Sequence, residues 1–93
     1  MKAILSVIFL SLAVSSAHAD PSAACHAFAA ELSSYRGTKL TVESTQNIRS
    51  EGSSKGLRIR VIRPGAMVTR DFRMDRVNIR VDNDGKIVSA GCG

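Results

Sequence analysis

Apolar and polar residues alternate most regularly from Leu57 to Arg63. Leu57, Ile59 and Val61 fall on one side, with Arg58 and Arg60 on the other, which is the two-residue period of a half-buried strand. Val77, Ile79 and Val81 repeat the pattern against Asn78, Arg80 and Asp82 and predict a second strand. Asp82-Asn83-Asp84-Gly85 reads as a tight hairpin turn. Lys86 to Ser89 reads as a last short strand that carries Cys92 back toward the front of the chain. Pro64-Gly65 ends the first strand, because proline has no amide hydrogen for a ladder and glycine permits a sharp change of direction. Gly65 to Arg73 then shows no alternation that would commit it to a core, and it reads as an exposed loop.

Ahead of the strands, the period changes. Ser22 is placed to cap a helix reaching about Ser34, with Ala23, Ala24, Ala27, Ala29 and Ala30 favouring it. Phe28 and Leu32 stand four apart on one face, and Cys25 lies one turn before Phe28 or Ala29. His26 falls between these positions and reads as a surface residue. Gly37 breaks the pattern. Beyond it, two readings stay open on pattern alone. Thr38 to Val42 forms a short strand, or Thr41 caps a second helix reaching about Glu51; Thr, Val and Ile are mediocre helix formers. Glu51-Gly52-Ser53-Ser54-Lys55-Gly56 reads as a flexible turn either way. The sum is an α+β fold: a small sheet packed against one or two helices.

The first residues read as an address. Lys2, the apolar run Ala3 to Val14 and the small-residue site Ala17-His18-Ala19 make residues 1–19 a signal peptide, so the protein is expected to be exported to the periplasm or secreted. The alternatives are an uncleaved anchor, for which the apolar run is short, and a lipid on Cys25, for which Ser22 is a poor fit. Residues 20–93 are one small domain, and a chain of this size buries only roughly 60–65% of its unfolded surface. In an exported protein Cys25 and Cys92 read as one disulfide, contributing roughly 4 kcal/mol in the chain-entropy model; two free thiols is the alternative. With His26 the only histidine after the leader, no metal site is expected, and the Asp82 to Gly85 turn lacks the distant glutamate of a calcium loop.

Without Lys2 the 13 basic residues become 12, nine of them arginine, against 8 acidic. That charge draws nucleic acid, anionic lipid or an acidic protein without choosing among them. Tyr35, Phe28 and Phe72 are the only aromatics after the leader, too few for a base-stacking platform. Catalysis is poorly supported too. No nucleophile and base pair up, and arginines crowd Asp71 and Asp75, which lowers carboxylate pKa values and makes a poor general acid. These two aspartates read as ion-pair partners that stabilise the loop.

The loop itself carries a pattern: Gly65, Met67-Val68, Thr69, Arg70, Asp71, Phe72, Arg73, Met74, Asp75-Arg76 and Val77. It resembles the inhibitory loop of potato inhibitor I-type serine-protease inhibitors. The fuller run is more similar to the bacterial and fungal peptidase-inhibitor family numbered seventy-eight, which includes fungal elastase inhibitors. That run comprises Arg60-Val61-Ile62-Arg63-Pro64-Gly65, Val68-Thr69, Asp71-Phe72-Arg73, Asp75-Arg76-Val77-Asn78, Val81-Asp82, Gly85-Lys86-Ile87 and Cys92-Gly93. The likeness is strong from Leu57 to Gly93 and weak from Tyr35 to Ser50. It implies a wedge-shaped α+β inhibitor with one exposed loop, and it favours the helix over the strand for Thr41 to about Ser50. It also implies that Arg70–Asp71 is the scissile bond, that Arg70 enters the primary pocket of a serine protease, and that Thr69 and Asp71 are held by Arg76 and Asn78. Arg73 is placed to reach back toward the carboxylates or the C-terminal end. The potato type often has arginine where Asn78 stands, so this brace is expected to be weaker or arranged differently.

The resemblance thus implies an inhibitor of a trypsin-like or subtilisin-like protease rather than an enzyme. A monomer without cofactor is expected, with no membrane span because the apolar run is short, and no nucleic acid because export and the scarcity of aromatics weigh against it. The competing reading is a basic envelope module in which Arg58, Arg60, Arg63, Arg73 and Arg80 bind nucleic acid or an anionic polymer. A third is a structural envelope protein whose sheet face binds a protein partner.

Overall fold

The computed structural model describes residues 21–93. The expected signal peptide at residues 1–19 lies outside the described residues. Two helices, α1 (Pro21–Ser33) and α2 (Val42–Ser54), precede three strands, β1 (Arg58–Ile62), β2 (Arg76–Val81) and β3 (Ile87–Cys92). The strands form one sheet in the order β1-β2-β3. β2 and β3 are antiparallel, joined by the Asp82 to Gly85 turn. Asp82 Oδ1 accepts from the amides of Asp84 and Lys86, both at 2.9 Å, which stiffens that turn. β1 runs parallel to β2, with Arg60 opposite Asn78 and Val61 opposite Ile79.

The alternation read from the sequence sets the core. Ile59, Val77, Ile79, Val81 and Ile87 pack with Phe28, Ala29 and Leu32 of α1 in one buried cluster. At roughly 1.5–3 kcal/mol for each large apolar side chain removed from water, this cluster is the main favourable term in so small a domain. Cys25 is fully buried in it and bonded to Cys92, so α1 is fastened to the end of β3. Among the described residues no helix is long and apolar enough to cross a membrane.

Two local expectations are corrected and one open choice is decided. Ser22 lies inside α1 rather than capping it, and Pro21 takes the first turn, where its missing N–H breaks no helical bond. The choice after Gly37 falls to the helix, with Thr41 as its cap. The Thr41 hydroxyl accepts from the Ser44 amide at 3.0 Å, and the Thr41 amide donates to Ser44 Oγ at 2.8 Å. The extended segment before it still pairs at one point, Lys39 with Lys86. The flexible turn expected at Glu51–Gly56 is in large part helix, since α2 continues to Ser54. Gly52 is the reason it can. A Cβ there would stand 3.0 Å from Ile59 Cδ1, so the absent side chain lets α2 settle against β1. Arg49 completes the contact, donating to the Ile59 carbonyl at 2.9 Å.

Candidate functional site

Because β1 and β2 are parallel, the chain must return the full length of β1 before it can start β2. Such a crossover needs about a dozen residues, and a helix usually supplies them. Here residues 63–75 supply them without regular secondary structure. Pro64 and Gly65 take the central places of the turn that starts it, with Gly65 at φ 76° and the Ala66 amide donating to the Arg63 carbonyl at 3.0 Å. At the far end the Arg58 amide donates to the Asp75 carbonyl at 2.7 Å. The loop is therefore fixed at both ends, by the turn and by the sheet.

Its middle is exposed. Met67 is 96% accessible and Phe72 70%, with Arg70 exposed between them; Val68 is more covered at 39%. Two guanidinium groups hold the residues on either side of Arg70, one through a side chain and one through the backbone. On one side, Arg60 donates through Nη1 to Thr69 Oγ1 at 3.1 Å and through Nε to Asn78 Oδ1 at 2.9 Å. On the other, Arg76 donates through Nη2 to the Asp71 carbonyl at 2.6 Å and faces the Asp71 carboxylate at 3.5 Å. Arg76 is buried, and a buried cation requires partners. The Gly93 oxygen supplies the rest, accepting from Arg76 Nε at 3.0 Å and Nη2 at 2.6 Å.

Gly93 is a hub in its own right. Its oxygen also accepts from the Arg73 amide at 3.0 Å, and its amide donates to the Arg76 carbonyl at 3.1 Å. A Cβ on Gly93 would stand 3.5 Å from both the Phe72 ring and the Asn78 side chain. Cys92 leads directly into this hub, and the Cys25 sulfur lies 3.2 Å from the Arg76 carbonyl oxygen.

The carboxylates behave as ion-pair partners. A hydrogen bond from the Thr69 hydroxyl, aided by the charges of Arg76 and Arg60, holds Asp71 below the ordinary aspartate range. Asp75 is lowered by the Arg73 hydrogen bond and then by the charges of Arg73 and Arg58. Neither has the raised pKa that a general acid needs at neutral pH.

Arg76 meets Asp71, and Thr69 is met by Arg60. Arg73 reaches Asp75 with its side chain and Gly93 with its backbone amide. Among the described residues Asn78 makes no hydrogen bond to the loop itself. It orients Arg60, and Arg60 makes the contact. Sequence reasoning missed Arg60 as a brace, counting it with the basic surface, and missed Gly93 as a hub. Knowing that β1 lies beside β2 in parallel register would have found Arg60, since the pairing sets it opposite Asn78. Three of the five arginines behind the nucleic-acid reading, Arg58, Arg60 and Arg73, are engaged within the molecule.

A family model described as the peptidase inhibitor I78 family matches residues 25–93, from the disulfide's first cysteine through the Gly93 hub. The chain belongs to that family. It is a family of inhibitors, not of enzymes. Among sequence relatives of this I78 chain, subtilisin inhibitor CLSI-I of Canavalia lineata is 38% identical over 48 residues, 52% of this chain and 71% of that protein. Among solved structures, the elastase inhibitor AFUEI superposes with a TM-score of 0.64 at 29% identity, over 80% of this chain and 100% of that one. The α+β architecture of this I78 chain is therefore that of a known protease inhibitor.

Proposed function

We propose that the protein is an exported, monomeric inhibitor of a serine protease that presents residues 65–73 as a substrate-like loop. Arg70 is the specificity residue and Arg70–Asp71 the bond facing the nucleophile. The observation that carries this reading is the placement of Arg70: exposed, at the middle of the loop, with Thr69 and Asp71 on either side tied to the sheet by separate arginines.

The physical reason is preorganisation. A loop already held in place by its braces loses little conformational entropy when it docks, so a protease–inhibitor interface of ordinary size becomes tight. A long cation suits a pocket floored by a carboxylate, as in trypsin-like enzymes, where a charge-assisted hydrogen bond compensates its desolvation. The exposed apolar neighbours Met67 and Phe72 suit the accessory subsites of a broader enzyme, and the names of the two relatives point to subtilisin and elastase.

A panel of trypsin, elastase and subtilisin tests the reading. Inhibition of trypsin at micromolar concentration or below is expected. Arg70→Glu places a carboxylate against the pocket's own and should weaken trypsin inhibition by at least about a hundredfold, or some 3 kcal/mol. Inhibition that survives Arg70→Glu removes Arg70 from the role.

A further inference from the structure

The two halves of the loop are not held equally. The arm after the Arg70–Asp71 bond is fixed many times over: Arg76 grips the Asp71 carbonyl and carboxylate, the Arg73 amide bonds Gly93, and Gly93 is bonded in turn to Arg76. The arm before the bond, from Gly65 to Arg70, has among the described residues one hydrogen bond to the sheet, from Arg60 to Thr69. Arg60 can make it because Nε is occupied by Asn78, its register partner on β2, which fixes the plane of the guanidinium. A planar fork of this kind spans two acceptors in set directions, whereas a lysine ammonium does not.

We infer that the Arg60–Asn78 pair is the positioning device that retains the acyl-side arm, and that it decides whether the loop acts as an inhibitor or as an ordinary substrate. The inference rests on the reading of Arg70–Asp71 as the scissile bond. When that bond is hydrolysed, water adds across it to give a carboxylate on Arg70 and an amine on Asp71. Resynthesis expels the same water and requires both new ends to stay in register. The Asp71 end is held by Arg76 and the Gly93 hub. The Arg70 end depends on Thr69, whose one tie to the sheet among the described residues is Arg60; its other bond, to Asp71, only joins it to the opposite side of the cut. Without that contact the acyl arm swings away and hydrolysis runs to completion.

The experiment measures, with trypsin, the inhibition constant and the steady-state rate of Arg70–Asp71 hydrolysis by mass spectrometry, for the wild type, Arg60→Ala, Arg60→Lys, Thr69→Val and the double variant Arg60→Ala/Thr69→Val. Arg36→Ala, an exposed arginine in the turn after α1, controls for the loss of one charge and should match the wild type. Arg60→Ala and Arg60→Lys should each raise both quantities by about tenfold or more, the scale of one hydrogen bond made by a charged group. Their unfolding midpoints should stay near the wild-type value, because Arg60 lies outside the core cluster. Thr69→Val, which loses the bond to Asp71 as well, should act at least as strongly, and the double variant should be no worse than Thr69→Val alone. Arg60→Lys equal to wild type, additive effects in the double variant, or unchanged hydrolysis in Arg60→Ala would each overturn the inference. If the wild type itself fails to inhibit, the proposed function falls and takes this inference with it; if the wild type inhibits and Arg60→Ala inhibits equally well, only the inference falls.

Discussion

At the scale of single residues, the site is a contest between exposure and restraint. Arg70 is exposed in the middle of the loop, so its neighbours have to carry the order. Thr69 does so twice, accepting from Arg60 and donating to Asp71. The consequence shows in acid. A carboxylate whose folded pKa lies below its unfolded value stabilises the native state above the ordinary aspartate range, and that contribution is lost as pH falls through the lowered value. Asp71 therefore braces the loop fully at neutral pH and ceases to do so only in strong acid. Thr69→Ala removes the largest cause of the lowering, so carbon-detected NMR should find the Asp71 titration midpoint moved up toward the ordinary aspartate value. An unmoved midpoint would show that Arg76 and Arg60 hold the carboxylate without the hydroxyl.

At the scale of elements, legibility followed locality. The alternation in Leu57–Arg63 and Val77–Asp82 placed two strands, because burying one face fixes a two-residue period that sequence records directly. The helix after Gly37 was ambiguous on its own. Thr41, Val42 and Thr45 have middling propensity, and the Thr41–Ser44 capping exchange is what commits the segment. The last turn of α2 was misread for a physical reason: Gly52 looks like a breaker in sequence, and it is there to let two backbones approach. Gly52→Leu tests this. The helix gains propensity, but the new side chain must displace Ile59 and Phe28 from a packed cluster, with a net loss of about 3 kcal/mol expected in urea unfolding. An unchanged midpoint would mean that the interface has room and that Gly52 is incidental.

At the scale of the whole molecule, the parallel pairing of β1 with β2 is the decision on which the site depends. It forces a long return connection, sets Arg60 beside Asn78, and delivers the start of β2, with Arg76, under the far arm of the loop. Neither strand's own sequence states whether its neighbour runs parallel or antiparallel, which is why the loop's existence was legible while one of its two braces was not. Gly93 was hidden for the same reason: it is 17 residues from Arg76 in sequence, and only the β2–β3 hairpin brings them together. The disulfide adds a feature of scale. Cys25 precedes the Arg70–Asp71 bond and Cys92 lies after it, so a single cut between them leaves two covalently joined pieces.

Mass spectrometry of the mature protein held with a slight excess of trypsin tests the account most directly. The protein is expected to inhibit the enzyme and slowly gain the mass of one water while remaining a single species, and on reduction to separate into two pieces, one ending at Arg70 and the other beginning at Asp71. Rapid cutting at several arginines, or a first cut at any bond other than Arg70–Asp71, would contradict it.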